Sequence, residues 1–405
     1  MNQIAKSLKS RLNPLLGLAN KTKYLVLFLT LVILVVTIQS LSLGTTSANG
    51  IDGFAYYNNY IIFKQSFFHL LHGQDLYKWY LNEQWDLYKY SPTFALLMAP
   101  LAVLPDWLGL FFWNFLNVMV LFFAFKNLPL QTHRKLIFMT LFLLTELITS
   151  IQNSQSNALM AGLMILMFNG LENKNYNRAA LFLTSSVFIK IFGIVAVVLF
   201  LFYPNKLKSA FYLFLWFIIF LFLPLLVIKW EQLLFLYQSW GHMLQNDHSA
   251  SIGLSVSGWL QTWFGWHNNK NWVIIMGAIL LILPLINYKK FQRLDFRIKY
   301  LASLLIWVVI FNHKAESPTF VIALSGIVIW YFSQPASNFN LILLLLAFVF
   351  TILSPTDLFP RIWKSEIFEP YVFKAVPCIV IWLKINFELL YPSPLSNKSY
   401  ISGLK

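Results

Sequence analysis

Asp52 is the first residue of this chain whose type and setting suggest chemistry. It opens a stretch, Asp52 to Pro92, that is polar enough for water yet crowded with Tyr, Trp and Phe. A carboxylate just past a long apolar run can serve as a general base at a lipid surface, where partial desolvation favours proton uptake. The competing reading is a solvated loop acid. Lys190 interrupts the apolar run Ala179 to Tyr203. It is either a snorkelling lysine or a point charge placed for an anionic headgroup. His313, Lys314 and Glu316 in NHKAESP form the densest polar cluster after the first loop, with a capped turn as the plain alternative. Asp247 and His248 could bind a substrate, move a proton or hold a divalent ion. One Asp beside one His is a poor metal site, so no metal is expected. Gln155 and Asn157 carry amides, which pair well with sugar hydroxyls and equally well with helix ends. Glu146 reads as a buried, protonated acid near the outer end of a span.

What must position these groups is a membrane protein. Of 405 residues, 58% are apolar and 11% charged, against roughly 25% charged in soluble domains. Lipid is the solvent that tolerates this. The net charge of +15 is spread between apolar runs, which fits cytoplasmic loops better than nucleic acid, and no nucleic-acid partner is expected. A single cysteine, Cys378, excludes an intramolecular disulfide.

The first run, Tyr24 to Leu43, follows five basic residues and is too long for a typical signal-peptide core, so it reads as an uncleaved anchor. Further runs follow at Trp107–Phe125, Phe138–Ser150, Ala158–Gly170, Ala179–Tyr203, Phe211–Ile228, Val273–Ile286, Leu301–Phe311, Phe320–Phe332, Leu341–Leu353 and Val372–Leu390. Ala179–Tyr203 reads as a short hairpin turning near Lys190 and Gly193, which avoids an unpaired cation at mid-bilayer. The expectation is an all-α, polytopic integral membrane protein with about twelve transmembrane helices. Basic breaks placed inside put both termini in the cytoplasm, at residues 1–23 and 392–405, around one membrane domain over 24–391. The outer loops are then 44–106 and 229–271, and most acidic residues fall on the outer side. A plasma (inner) membrane location is expected.

The first outer loop has structure of its own. Asn58 to His72 has the spacing of an interfacial helix, with His69 and His72 on its wet side and Gly73 ending it. Pro92 to Leu104, with Ser91 as N-cap, is too short to span and reads as a re-entrant or surface helix.

The order Asp52, Tyr56-Tyr57, Gly73, Tyr77 and Tyr90-Ser91-Pro92 resembles the first outer loop of the family-eighty-seven glycosyltransferases. These are polytopic enzymes of the GT-C type, related to polyprenyl-phosphate-mannose-dependent mannosyltransferases. Their usual pattern is D-x-x-x-Y-Y, G-x-x-x-Y and Y-P-P, so Ser91 stands where a proline is usual. Gln155-Ser156-Asn157 is similar to the family's G-Q-x-N turn, with Ser154 in the glycine's place. Lys190 falls where the family has a lysine between two short helices, and His313 resembles a late histidine turn. The resemblance implies a GT-C-like fold with interfacial helices in the outer loops. It implies a transferase that moves a hexose, mannose by analogy, from a polyprenyl-phosphate donor to a lipid or envelope-glycan acceptor with inversion. Asp52 would be the base. Lys190 and Lys314 would hold phosphate, and Tyr57, Tyr90, Gln155, Asn157, Asp247, His248, His313 and Glu316 would line the substrate site. No cofactor is expected, since no P-loop or Rossmann glycine pattern occurs. The rival reading is a secondary transporter or flippase of a lipid-linked or anionic sugar. Such proteins place ionisable groups near mid-bilayer and show repeated halves, and no clear repeat is present here.

Overall fold

A computed structural model describes residues 22–48, 50–129, 131–246, 252–267 and 270–391. The chain forms two compact units. The first holds the described residues up to Ala196 and those from Asn205 to Asn246. The second holds Val197–Pro204 and the described residues from Ile252 on.

In the first unit, α1 (Thr22–Ser42) is followed by a two-stranded antiparallel hairpin, β1 (Thr45–Ala48) and β2 (Ile51–Ala55), in which Ala48 pairs with Ile51. Then come α2 (Asn58–Leu71), α3 (Pro92–Leu97), α4 (Ala99–Ala102), α5 (Asp106–Lys126), α6 (His133–Phe142), α7 (Leu144–Gln152), α8 (Asn157–Glu172) and α9 (Tyr176–Ile189). α10 (Lys206–Phe222) and α11 (Trp230–Asn246) complete it. α1 buries Leu25, Leu29, Ile33 and Val36 and exposes Leu27, Leu31, Val35 and Ile38, the two faces that helical periodicity allows. In a bilayer the exposed face meets lipid. α8 is buried on nearly every face, with α5 on one side and α9 on the other. Gly162 permits this: a Cβ there would lie 2.8 Å from the backbone nitrogen of Leu121. Small residues that let helix backbones approach are the usual device in membranes. Buried amides tie the same helices, Asn117 Oδ1 accepting from the Leu159 N–H at 3.1 Å and Asn169 Nδ2 donating to Ala124 O at 2.9 Å.

The second unit carries α12 (Val256–Phe264), α13 (Lys270–Ile282), α14 (Leu294–Ile310), α15 (Phe320–Phe332), α16 (Asn338–Ala347) and α17 (Val376–Leu390). α15 is its buried centre, packed on α14, where Gly326 meets the carbonyl of Ala302. At one end Glu388 bonds Lys299 at 2.8 Å and Lys384 at 2.9 Å.

The chain is therefore helical throughout, apart from one hairpin among the described residues. The expected apolar runs are each found as helix, and Phe320–Phe332 coincides with its helix end to end. Among the described residues, four helices are long and apolar enough to cross a membrane: Thr22–Ser42, Asp106–Lys126, Lys206–Leu226 and Lys270–Lys290. α6 and α7, bent by 51°, make a fifth if joined. The shorter apolar helices run 10–17 residues, about 15–26 Å against a core of about 30 Å. The twelve expected spans are thus mostly short or broken helices rather than full-length rods.

Two elements differ in detail. Pro92–Leu104 is broken at Met98, because Pro100 lacks the N–H that a continuous helix would use. At Lys190 the backbone is extended, and the chain continues as a 3-10 helix, Ile191–Phe202. A Cβ on Gly193 would lie 2.5 Å from Ser186 Oγ. Along a straight helix those residues would be about 10 Å apart, so the chain turns sharply where a reversal was expected.

Candidate functional site

The polar groups of the first unit meet at one end of its helices. α1 finishes there, and Gln152 Nε2 at the end of α7 donates to Gln39 Oε1 at 3.0 Å. Asn59, at the start of α2, donates to the carbonyl of Asn153 at 2.8 Å. α5 and α8 begin at this end with Asp106 and Asn157, and α9 finishes with Lys190 as its cap.

Four of the expected substrate-site residues come together here. Lys190 Nζ donates to Asn157 Oδ1 at 2.6 Å, and Asn157 Nδ2 in turn donates to Gln155 Oε1. The same ammonium lies 5.9 Å from the centroid of the Tyr90 ring. Asn157 is fully buried, while Lys190, Gln155 and Tyr90 are half-buried. The turn that presents Gln155 is built by Ser154, whose φ of +51° is the left-handed region that favours glycine. Trp113 Nε1 holds that turn by donating to Ser154 O at 2.8 Å. Tyr90 is fixed from behind: Tyr77 OH donates to its carbonyl at 2.9 Å, and Phe63 meets its ring edge-on at 4.9 Å. Ser91 accepts from the Phe94 N–H at 3.1 Å as the N-cap of α3 and donates to Phe188 O at 2.5 Å, so it ties Tyr90 to the helix that ends in Lys190. The result is a half-buried cation between an amide pair and an aromatic face. Such a group offers charge-assisted hydrogen bonds to a phosphate.

Asp52 lies on β2, exposed, and accepts a hydrogen bond from Ser47 Oγ on β1. The protein itself does not supply the desolvation expected of a lipid-surface base. Tyr57 lies nearby in sequence and donates to Asp106 Oδ2 at 3.4 Å. Its phenol is pushed up, first by burial and then by the Asp106 charge, so it stays a proton donor. Asp106 and its partner Lys64, 2.6 Å away, were not singled out from the sequence. Asp106 opens α5, whereas Lys64 lies in the middle of α2, so nothing local in the sequence hinted that they meet.

His69 corrects an expectation. It does not line a wet face: it is buried, its ring stacked on Tyr80 at 3.9 Å and its Nε2 3.0 Å from Glu83 Oε2. Burial lowers its pKa and Glu83 partly opposes this. His72 is exposed, as expected. Glu146 is buried in α7.

In the second unit, His313, Lys314 and Glu316 are held by a defined turn. Leu254 N–H donates to Ala315 O at 3.0 Å, and Lys314 N–H to Asn312 Oδ1 at 3.0 Å. Glu316 caps the short helix Ser317–Thr319. Gly253, at φ +57°, lets the chain pass against the carbonyl of His313. The buried Lys374 donates to Ser317 Oγ at 2.8 Å. Asp247 and His248 lie outside the described residues. Among the described residues, no group of three or more His, Cys, Asp or Glu is placed to hold a metal ion.

The sequence pattern of glycosyltransferase family 87 matches residues 88–355, about two-thirds of the chain. The chain belongs to glycosyltransferase family 87. It is thus a multi-pass membrane glycosyltransferase. The family match takes in Tyr90, Gln155, Asn157, Lys190, Asp247, His248, His313, Lys314 and Glu316. Asp52 and Tyr57 precede it. No curated protein matches the chain. Among solved structures, the chain is similar to ArnT from Cupriavidus metallidurans bound to undecaprenyl phosphate, at 13% identity and a TM-score of 0.38, over 91% of this chain and 77% of that one.

Proposed function

We propose that this family-87 enzyme, of the GT-C type, transfers a hexose, mannose by family analogy, from a polyprenyl-phosphate donor to a lipid or envelope-glycan acceptor. The reaction takes place at the extracytoplasmic face of the plasma (inner) membrane, with both chain ends in the cytoplasm. The observation that carries the reading is the Lys190–Asn157–Gln155–Tyr90 cluster. Lys190 Nζ, 2.6 Å from Asn157 Oδ1, is a point charge of the kind that attracts a phosphate oxygen. Gln155 and Tyr90 border it, where the sugar hydroxyls and ring would lie.

In the reaction the acceptor oxygen attacks the anomeric carbon. The bond from that carbon to the phosphate oxygen breaks, and polyprenyl phosphate leaves with the electron pair. Attack from the opposite face inverts the anomeric centre. Asp52 takes the acceptor proton. Because Asp52 is exposed, its desolvation comes from the bound lipid and acceptor, which also limits proton abstraction to the loaded enzyme. Lys190 offsets the charge of the departing phosphate. Lys314 is the second candidate for holding phosphate, and His313, Glu316, Asp247 and His248 are assigned to substrate binding. The domain runs over residues 24–391.

The test is incubation of the purified protein with radiolabelled polyprenyl-phosphate mannose, the corresponding glucose donor and host lipid extract. Labelled product from the mannose donor supports the reading. Product only from another lipid-linked sugar replaces mannose, and no product from any lipid-phosphate donor sinks it.

A further inference from the structure

The second unit contains a cavity of about 250 Å³ between α12 and α13. Its walls are Ser257, Leu260 and Gln261 from α12, Trp266 and His267 from the segment that follows, and Lys270 and Val273 from α13, with Ile252 completing the lining. Ser257 and Gln261 are four residues apart and so share one helix face. Gly265 ends α12 at φ +64°, and its N–H returns to Gln261 O at 3.1 Å while that of Trp266 returns to Leu260 O at 3.3 Å. The position of Trp266 beside the cavity is therefore set by a helix cap, and its indole is 50% exposed.

The size and lining select a ligand class. The volume is just below the usual range of small-molecule sites, roughly 300–1,000 Å³, so it suits one ring rather than a polyprenyl chain. Ile252, Leu260, Trp266 and Val273 give apolar contact, but Ser257, Gln261, His267 and Lys270 stand among them, so the lining is mixed rather than the wholly apolar wall a lipid tail would favour. An indole gives a flat apolar face, and the Gln261 amide and Ser257 hydroxyl both donate and accept, which matches a sugar ring with one apolar face and polar edges. Lys270 adds a cation at the N-terminal end of α13. The helix dipole already makes that end positive, so an anion there is favoured twice.

We infer that this cavity binds a single acidic sugar, its ring on Trp266 and its anionic group at Lys270. It rests on the proposed reaction only in making that sugar part of the acceptor glycan. The bound residue would anchor the acceptor glycan on the enzyme, and selectivity for acidic acceptors would follow.

Saturation-transfer NMR on the purified wild-type protein in nanodiscs, with glucuronic acid, mannose and inorganic phosphate as separate probes and no donor present, tests this. Glucuronic acid should bind more tightly than mannose. Affinity should fall about tenfold or more in Lys270→Gln, as loss of a charge-assisted bond implies, and likewise in Trp266→Ala. Trp272→Ala, an exposed tryptophan outside the cavity, should leave it unchanged, and thermal melting confirms that each variant is folded. Phosphate binding with no sugar signal, equal binding of mannose and glucuronic acid, or binding indifferent to both variants overturns the inference. Binding of a polyprenyl-phosphate donor to wild type and Lys190→Ala is measured in parallel. Loss of the sugar signal with donor binding intact removes only this inference, whereas absent donor binding removes the proposed reaction.

Discussion

The ammonium of Lys190 and the side-chain oxygen of Asn157 lie 2.6 Å apart, joining the end of α9 to the start of α8. The two residues are separated by 33 positions in the chain. Lys190 is thereby aimed across the gap toward Tyr90 rather than left to extend to the nearest water. A cation fixed in this way loses less freedom when a phosphate arrives, which is where preorganised sites gain affinity.

Lys190→Ala should weaken binding of a polyprenyl-phosphate donor by about tenfold to a hundredfold, the range for one charged hydrogen bond. Asn157→Ala should have a smaller effect of the same sign, because the cation remains but is no longer aimed. Lys190→Arg should not restore wild-type affinity, since its planar fork does not suit a point-charge position. Donor titration of the four proteins checks this, and equal affinities would leave Lys190 as a snorkelling residue.

Ser154 sits at φ +51° with its backbone fixed by Trp113. A non-glycine residue in that region costs about 1–2 kcal/mol. Ser154→Gly should therefore stabilise the protein by about 1 kcal/mol, less the extra freedom glycine has when unfolded. Ser154→Val should destabilise it by more than that. Melting temperatures in detergent decide between this and a turn that prefers serine.

Stability should fall as pH drops below the ordinary histidine value of 6.5, because the fold holds the His69 pKa below it. Between the two pKa values the unfolded chain binds a proton that the folded chain does not, so acid favours unfolding. The contribution is complete above pH 6.5 and is lost as pH falls through the folded value. His69→Phe keeps the ring stacked on Tyr80 and removes the titration. Its melting temperature should change less between pH 7.5 and 5.5 than that of the wild type, and an equal change would assign the pH dependence elsewhere.

Local signals were readable in the sequence where chemistry is local. Ser91 before Pro92 announced an N-cap and a helix start, and Gly73 announced the end of α2; both hold. Gly50, at φ +76° between β1 and β2, is a local turn signal as well. His69 was misplaced because periodicity gives the face of a helix but not what covers it. Tyr80 and Glu83, more than ten residues later, close over that face. Asp106 and Lys64 escaped notice for the same reason, since 42 residues separate them in the chain. The apolar runs were legible as helices, but not which of them are short or broken, because hydropathy shows that a segment meets lipid or core and not that it is one straight helix. Lys190 and the Gln155–Asn157 turn were legible as two family-like motifs with a shared sidedness, but not as a hydrogen-bonded contact.

The central claim is that Asp52, exposed on β2 and bonded by Ser47, takes the proton of the acceptor once lipid covers it. Sugar transfer from a radiolabelled polyprenyl-phosphate donor by purified Asp52→Asn, alongside donor binding by the same variant, tests it most directly. Loss of turnover by about 10²–10⁴-fold, the usual worth of a general base, with donor binding unchanged, is the predicted result. Wild-type turnover in Asp52→Asn would contradict it.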